Sequence, residues 1–139
     1  MQHNILVELS DGTHIGYGEG ASTHAYPEFT AAGMRAALEQ ATPAIQAAVW
    51  QTPEELWEQM LPLLGHNRFA LCALDEAVHD LWGKQRGQPV YKLWGLALHD
   101  NLPLSNYTIG IDTVEKMVMK MQEFDGWPIY KVKLGTSDD

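Results

Sequence analysis

The hydrophobic pattern between residues 102 and 134 changes period twice. Leu102 to Ile111 alternates as a strand, Val114 to Phe124 carries helical spacing, and Ile129 to Leu134 alternates again. Strand, helix, strand over this length predicts a β-α-β unit, because parallel strands need a crossover where antiparallel ones can share a tight turn. The closing segment, Tyr130-Lys131-Val132-Lys133-Leu134-Gly135, reads as a short buried strand. Alternation puts Lys131 and Lys133 on one face and Tyr130, Val132 and Leu134 on the other. Two ammonium groups side by side on a buried strand need a reason. A catalytic pair is one; from spacing alone, a solvated strand end is another.

The earlier residues follow a different plan. Residues 4–19 predict a hairpin that turns at Ser10-Asp11-Gly12. Ala21 to Pro27 is a loop, and Glu28 to Trp50 is alanine-rich and helical. Thr42-Pro43 predicts a break there, with Thr42 as cap and Pro43 in a first turn. Thr52-Pro53-Glu54-Glu55 starts a further helix that Gly65 ends, and Asn67 caps a long helix through about Arg86. In that helix Leu71, Leu74, Val78, Leu81 and Trp82 recur at spacings of three and four. Gly87-Gln88-Pro89 stops it, and Val90 to Trp94 is a short helix or turn. The expected organisation is an α+β domain over 1–100 and a β-α-β unit over 101–139, with the boundary near 97–103.

The 139 residues carry a net charge of −9. That balance argues against nonspecific binding to nucleic acid or to an anionic membrane, though it leaves room for an anionic substrate at a local pair of lysines. No apolar run approaches the roughly 20 residues of a membrane span, and no signal peptide is evident. The single cysteine, Cys72, excludes an internal disulfide and fits a reducing, cytoplasmic setting. It lies within an apolar helical run and reads as a buried, inert thiol. Gly16, Gly18 and Gly20 form no phosphate-binding motif. Glu76 and His79 have a metal-ligand spacing, but one copy without a partner reads as an ordinary helix surface. His14 and His24 carry no recognisable spacing.

Longer stretches carry a family resemblance. The run Phe69 to Lys84, followed by Gly87-Gln88-Pro89-Val90-Tyr91-Lys92-Leu93-Trp94-Gly95, resembles the end of the capping domain in the enolase superfamily, specifically its muconate-lactonizing subgroup. Gly16-Tyr17-Gly18-Glu19-Gly20 is similar to that domain's Gly-x-Gly-Glu turn. Tyr107-Thr108-Ile109-Gly110-Ile111 resembles the first barrel strand of the dipeptide epimerases of the L-Ala-D/L-Glu type, and Lys131-Val132-Lys133 resembles the subgroup's Lys-x-Lys. The fold this implies is an α+β capping domain followed by the first β-α-β of a (β/α) TIM-type barrel, with the barrel incomplete. A closed barrel takes about 250 residues.

The resemblance also implies chemistry. In such enzymes a lysine removes the proton α to a carboxylate, and Mg²⁺ stabilises the enediolate. A lysine base has to be partly neutral, and both burial and a neighbouring ammonium favour the neutral form. By resemblance, Lys133 is the acid/base, and Lys131 meets the substrate carboxylate and tunes Lys133. Thr108, at the end of the first barrel strand, binds substrate; a packed β-branched residue is the plainer alternative. Tyr26 lies on the loop that closes over the site and is a candidate for substrate contact or an ordinary exposed tyrosine.

The departures are as informative. The family has a strand and a specificity loop before the counterpart of Met1, and further barrel strands after the counterpart of Asp139. Those later strands carry the acidic Mg²⁺ ligands, the second catalytic lysine and an Asp-x-Asp that grips the dipeptide ammonium. Asp138 and Asp139 stand too close to Lys-x-Lys to match the metal ligands, so no metal ligand is assigned in this chain. The expectation is a fragment of a Mg²⁺-dependent dipeptide epimerase, inactive alone. Its partners would be a small dipeptide and either a complementing barrel fragment or a second copy. A cycloisomerase, an o-succinylbenzoate synthase or a non-catalytic remnant are the alternatives.

Overall fold

The computed structural model describes residues 3–135, so Asp138 and Asp139 lie outside the described residues. The chain divides into two compact units, one ending at Ala97 and one beginning at Leu98.

The first unit opens with the hairpin. Strands β1 (Asn4–Ser10) and β2 (Ile15–Ala21) pair antiparallel, with Val7 opposite Gly18. The turn is held by Asp11, whose carboxylate accepts from the backbone N–H of Thr13 and His14 at 2.8 and 2.7 Å. Along β1 the exposed positions alternate with half-buried Ile5, Val7 and Leu9, which pack against the helices.

Helices α1 (Ala31–Ala47), α2 (Pro53–Leu64), α3 (Arg68–Arg86) and α4 (Val90–Leu93) follow. Thr30, Thr52 and Asn67 cap the first three, each side chain accepting from the N–H three residues on, at 3.0, 3.4 and 3.1 Å. Their apolar faces meet in a core of Met34, Leu56, Leu64, Leu71 and Val78. α3 ends at Gly87, whose φ of 62° is left-handed. Its N–H and that of Gln88 donate to the carbonyls of Lys84 and Gly83, both at 3.1 Å. This double closure satisfies carbonyls the helix leaves open.

Two expectations are corrected here. Thr42-Pro43 does not divide two helices, because α1 runs unbroken through Pro43. A proline in a helix interior costs about 3 kcal/mol, but burial of Met34, Ala37 and Ala41 before it and packing of Ala44 and Ile45 after it keep both halves on one axis. Gly65 does end α2, with φ −60° in the right-handed region. Cys72 is exposed. Its thiol is nonetheless pushed above its ordinary pKa, first by partial desolvation and then by the carboxylates of Glu76 and Asp75.

The glycines of the Gly-x-Gly-Glu segment set how closely α3 lies on β2. A Cβ at Gly16 would stand 2.1 Å from the carbonyl oxygen of Ala77, and one at Gly18 would stand 1.9 Å from that of Ala73. Helix and strand therefore approach backbone to backbone, with buried Ala73 and Ala77 on the helix side. That closeness brings a polar stripe of α3 along the outer edge of β2. Glu76 accepts from the N–H of Glu19 at 2.9 Å, and Asp80 from the N–H of Tyr17 at 2.8 Å. Lys84 Nζ donates to the carbonyl of Ile15 and to Asp80, both at 2.7 Å. Residues four apart on a helix thus stand in for a neighbouring strand.

The second unit holds strand β3 (Tyr107–Ile109), helix α5 (Val114–Gln122) and strand β4 (Tyr130–Val132). β3 and β4 pair in parallel, as the β-α-β pattern predicts. Both strands are shorter than the sequence suggests. Pro103 has no N–H to offer, and the carbonyl of Ser105 is taken by Trp127 Nε1 at 3.0 Å instead of by a strand. Nor is β4 buried, since Lys131, Val132, Lys133 and Leu134 are all exposed. A two-stranded ladder with one short helix leaves most of its surface open.

Candidate active site

The β3–β4 ladder has two unlike faces. On one, Tyr107 gathers Phe124, Trp127 and Tyr130, with ring centroids 4.5, 6.1 and 6.4 Å away. The hydroxyl of Tyr130 donates to the carbonyl of Phe124, tying the strand to the end of the crossover. This aromatic cluster fixes which way the alternation runs.

The other face carries the polar residues. Thr108 is the direct partner of Lys131. Lys133 follows β4, and its N–H still donates to the carbonyl of Ile109 at 3.0 Å. Alternation therefore sets Thr108, Lys131 and Lys133 on a single face, at the end where both strands finish. All three are exposed. Ile109, between them in the ladder, is fully buried and points the opposite way.

One further residue belongs to this face and escaped the sequence reading. Asn106 Oδ1 accepts from Thr108 Oγ1 at 3.4 Å, which orients the hydroxyl. The i−2 position relative to Thr108 was the available signal. Gly110 follows directly after β3, and a Cβ there would have no neighbour within 4 Å. The arrangement offers two ammonium groups and an oriented hydroxyl, which suits a carboxylate-bearing molecule.

Tyr26 belongs to the first unit. It is half exposed and stacks obliquely on Phe69 at 5.5 Å, while Phe29 stacks on the same ring at 4.7 Å. The loop is therefore anchored to the start of α3 by aromatic contact.

Glu76 and His79 do not converge on a metal. Glu76 is engaged with β2, and His79 Nδ1 donates to the carbonyl of Asp75 at 2.9 Å. Among the described residues no three His, Cys, Asp or Glu side chains are grouped to hold an ion. Nor is any helix among them long and apolar enough to cross a membrane.

Residues 1–95 match the N-terminal domain of the mandelate racemase/muconate lactonizing enzyme family. The chain belongs to this family. It is thereby a member of the enolase superfamily. An L-Ala-D/L-amino acid epimerase of Flavobacterium johnsoniae is 41% identical over 138 residues, covering 99% of this chain and 40% of that protein. An L-Ala-D/L-Glu epimerase of Bacteroides thetaiotaomicron is 33% identical, over 98% of this chain and 35% of its own length. Among solved structures of the superfamily, an L-Ala-D/L-Glu epimerase superposes with a TM-score of 0.73 at 24% identity, over 96% of this chain and 40% of that one. A mandelate racemase/muconate lactonizing enzyme homologue from Roseovarius nubinhibens, complexed with magnesium, superposes with a TM-score of 0.70 at 26% identity, over 99% and 38%. The chain thus spans about two fifths of the length of the relatives it matches.

Proposed function

We propose that this chain supplies the capping domain and the first β-α-β of a (β/α) barrel to a Mg²⁺-dependent dipeptide epimerase. The observation that carries the reading is the shared face of Thr108, Lys131 and Lys133 at the ends of two parallel strands. Active sites of (β/α) barrels form at that end. Homologues that are dipeptide epimerases over nearly the whole of this chain support the same reaction class.

In this reading Lys133 takes the proton from the α-carbon of a dipeptide. The electron pair left behind moves into the adjacent carboxylate, and a proton returned to the opposite face inverts the centre. Lys131 binds that carboxylate through its ammonium group. Thr108 hydrogen-bonds the substrate, with Asn106 holding its hydroxyl in place. The group that returns the proton, and the ligands of the magnesium that stabilises negative charge in this chemistry, would come from outside the described residues.

The test is exchange of the α-proton in D₂O with Mg²⁺ and L-Ala-L-Glu. The 139-residue chain alone should give none. Mixed with a separately expressed C-terminal barrel fragment of a related epimerase, it should give exchange that Lys133→Ala removes. A folded complex with no exchange on any dipeptide would sink the assignment.

A further inference from the structure

The chain contains two Asp–Gly pairs, Asp11-Gly12 and Asp125-Gly126. Such a pair can react within itself. The backbone nitrogen of the glycine attacks Cγ of the aspartic acid, closing a five-membered succinimide. The carboxyl hydroxyl leaves as water with the amide proton. Water then reopens the ring at one carbonyl or the other. One route returns aspartate; the other gives isoaspartate, whose main chain runs through Cβ and Cγ and is one carbon longer. Water is the only reagent. Glycine favours the attack because it sets no Cβ beside the nitrogen.

The two pairs share a backbone conformation and differ in what holds them. Gly12 and Gly126 are both left-handed, at φ 89° and 82°. At the hairpin turn every reacting group is engaged. Asp11 Oδ1 accepts from the N–H of Thr13 and of His14, and Oδ2 accepts from Gln85 Nε2 at 2.9 Å. The N–H of Gly12 donates to Ser10 Oγ at 3.1 Å. The N–H of His14, then Gln85 and the N–H of Thr13, hold the Asp11 carboxyl well below the ordinary range. The protonated form, which loses water, is correspondingly scarce. In the connection between α5 and β4 the same groups are unengaged. Among the described residues nothing bonds the carboxylate of exposed Asp125 or the N–H of Gly126. The turn is fixed from within the β-α-β unit: the carbonyl of Phe124 accepts from the N–H of Trp127 at 3.0 Å and from the hydroxyl of Tyr130.

We propose that Asp125-Gly126 is a site of spontaneous isoaspartate formation in this protein, and that the hydrogen bonds around Asp11-Gly12 keep that pair from the same reaction. The product lengthens the main chain two residues before Trp127. The Trp127 ring lies 6.1 Å from that of Tyr107, and its Nε1 holds the carbonyl of Ser105 at 3.0 Å. The modification therefore falls where it loosens the aromatic side of the β3–β4 ladder.

The test is peptide mapping, by liquid chromatography and mass spectrometry, of the 139-residue chain held in warm, mildly acidic buffer. Three samples are compared: the chain alone, the chain mixed with the C-terminal barrel fragment of a related epimerase, and the chain in urea. Isoaspartate keeps the mass of aspartate but separates from it by retention and by electron-transfer fragmentation. We expect it at residue 125 and not at residue 11 in both native samples, and at both residues to a comparable extent in urea. Asp125→Glu keeps the charge but would need a six-membered ring, so the product at 125 should be lost. A native chain with no isoaspartate at 125 would overturn the proposal. Equal isomerisation at 11 and 125 in the native chain would do the same, because the hydrogen bonds at Asp11 would then protect nothing. Suppression at 125 by the barrel fragment would also overturn it, because the turn would then be covered in the assembly.

Discussion

Thr108 and Lys131 are direct partners across the parallel β3–β4 ladder, and Lys133 continues the same face one step beyond. Residues separated by the whole α5 crossover are thereby neighbours on one polar surface. The opposing surface is aromatic, so the ladder cannot flip its faces without exposing Tyr107 and Tyr130 to water. A one-residue slip would carry the lysines into that cluster.

If Lys133 is the base, its removal should cost the most. In the complemented assembly, Lys133→Ala should lower α-proton exchange by about 10²–10⁴-fold, the usual worth of a positioned acid/base. Lys131→Met should raise the substrate concentration needed for half-maximal exchange as well as slow it. Rates of D₂O exchange against dipeptide concentration separate the two effects.

The glycines against α3 should be intolerant. In Gly18→Ala the new methyl would sit 1.9 Å from the carbonyl oxygen of Ala73, so strand and helix must part. Overpacking of this kind costs about 1–3 kcal/mol and occasionally more, and the backbone contact here puts Gly18→Ala at the upper end. Gly110→Ala, with open space around its Cβ, should change stability far less. Urea melts of the two variants make the comparison.

The α3 stripe makes a pH-dependent contribution. Burial alone would raise the Asp80 carboxyl, but Lys84 and the N–H of Tyr17 hold it below the ordinary carboxylate range. A depressed folded-state pKa gives stability that is present above about pH 4, the unfolded value, and is lost as pH falls through the folded one. Asp80→Asn should remove that part of the acid sensitivity, seen as a flatter dependence of melting temperature on pH between about 5 and 2. Asp80→Ala should destabilise at neutral pH by about 0.5–1.5 kcal/mol, the net worth of an ordinary hydrogen bond, because the N–H of Tyr17 loses its acceptor.

Cys72 should be a slow nucleophile despite its exposure. With its thiol pushed up by desolvation and by Glu76 and Asp75, less thiolate is present at a given pH. Alkylation by iodoacetamide at pH 8 should run slower than that of a cysteine in an unstructured peptide. Glu76→Gln should speed it.

The local elements of this protein were legible in its sequence. Thr30 went unread as a cap, but Thr52, Asn67 and Gly87 mark helix ends because capping is a matter of a few neighbouring residues. Ser10-Asp11-Gly12 marks the hairpin turn, and the double change of period after residue 100 gives a parallel pair joined by a helix. The grouping of Thr108 with Lys131 and Lys133 follows from alternation once the strands are parallel. What tertiary structure alone decided depends on partners far along the chain. Pro43 stays inside α1 because both halves of that helix are packed on one core. β3 is short because Trp127 claims the carbonyl of Ser105. The lysine strand is exposed, not buried, because burial is set by what covers a face and not by the residues on it. The Gly-x-Gly-Glu segment is a place of close helix approach because Ala73 and Ala77 lie across from it, more than fifty positions away in sequence. Spacing within a segment fixes its own geometry; only the folded chain determines which groups at long range meet it.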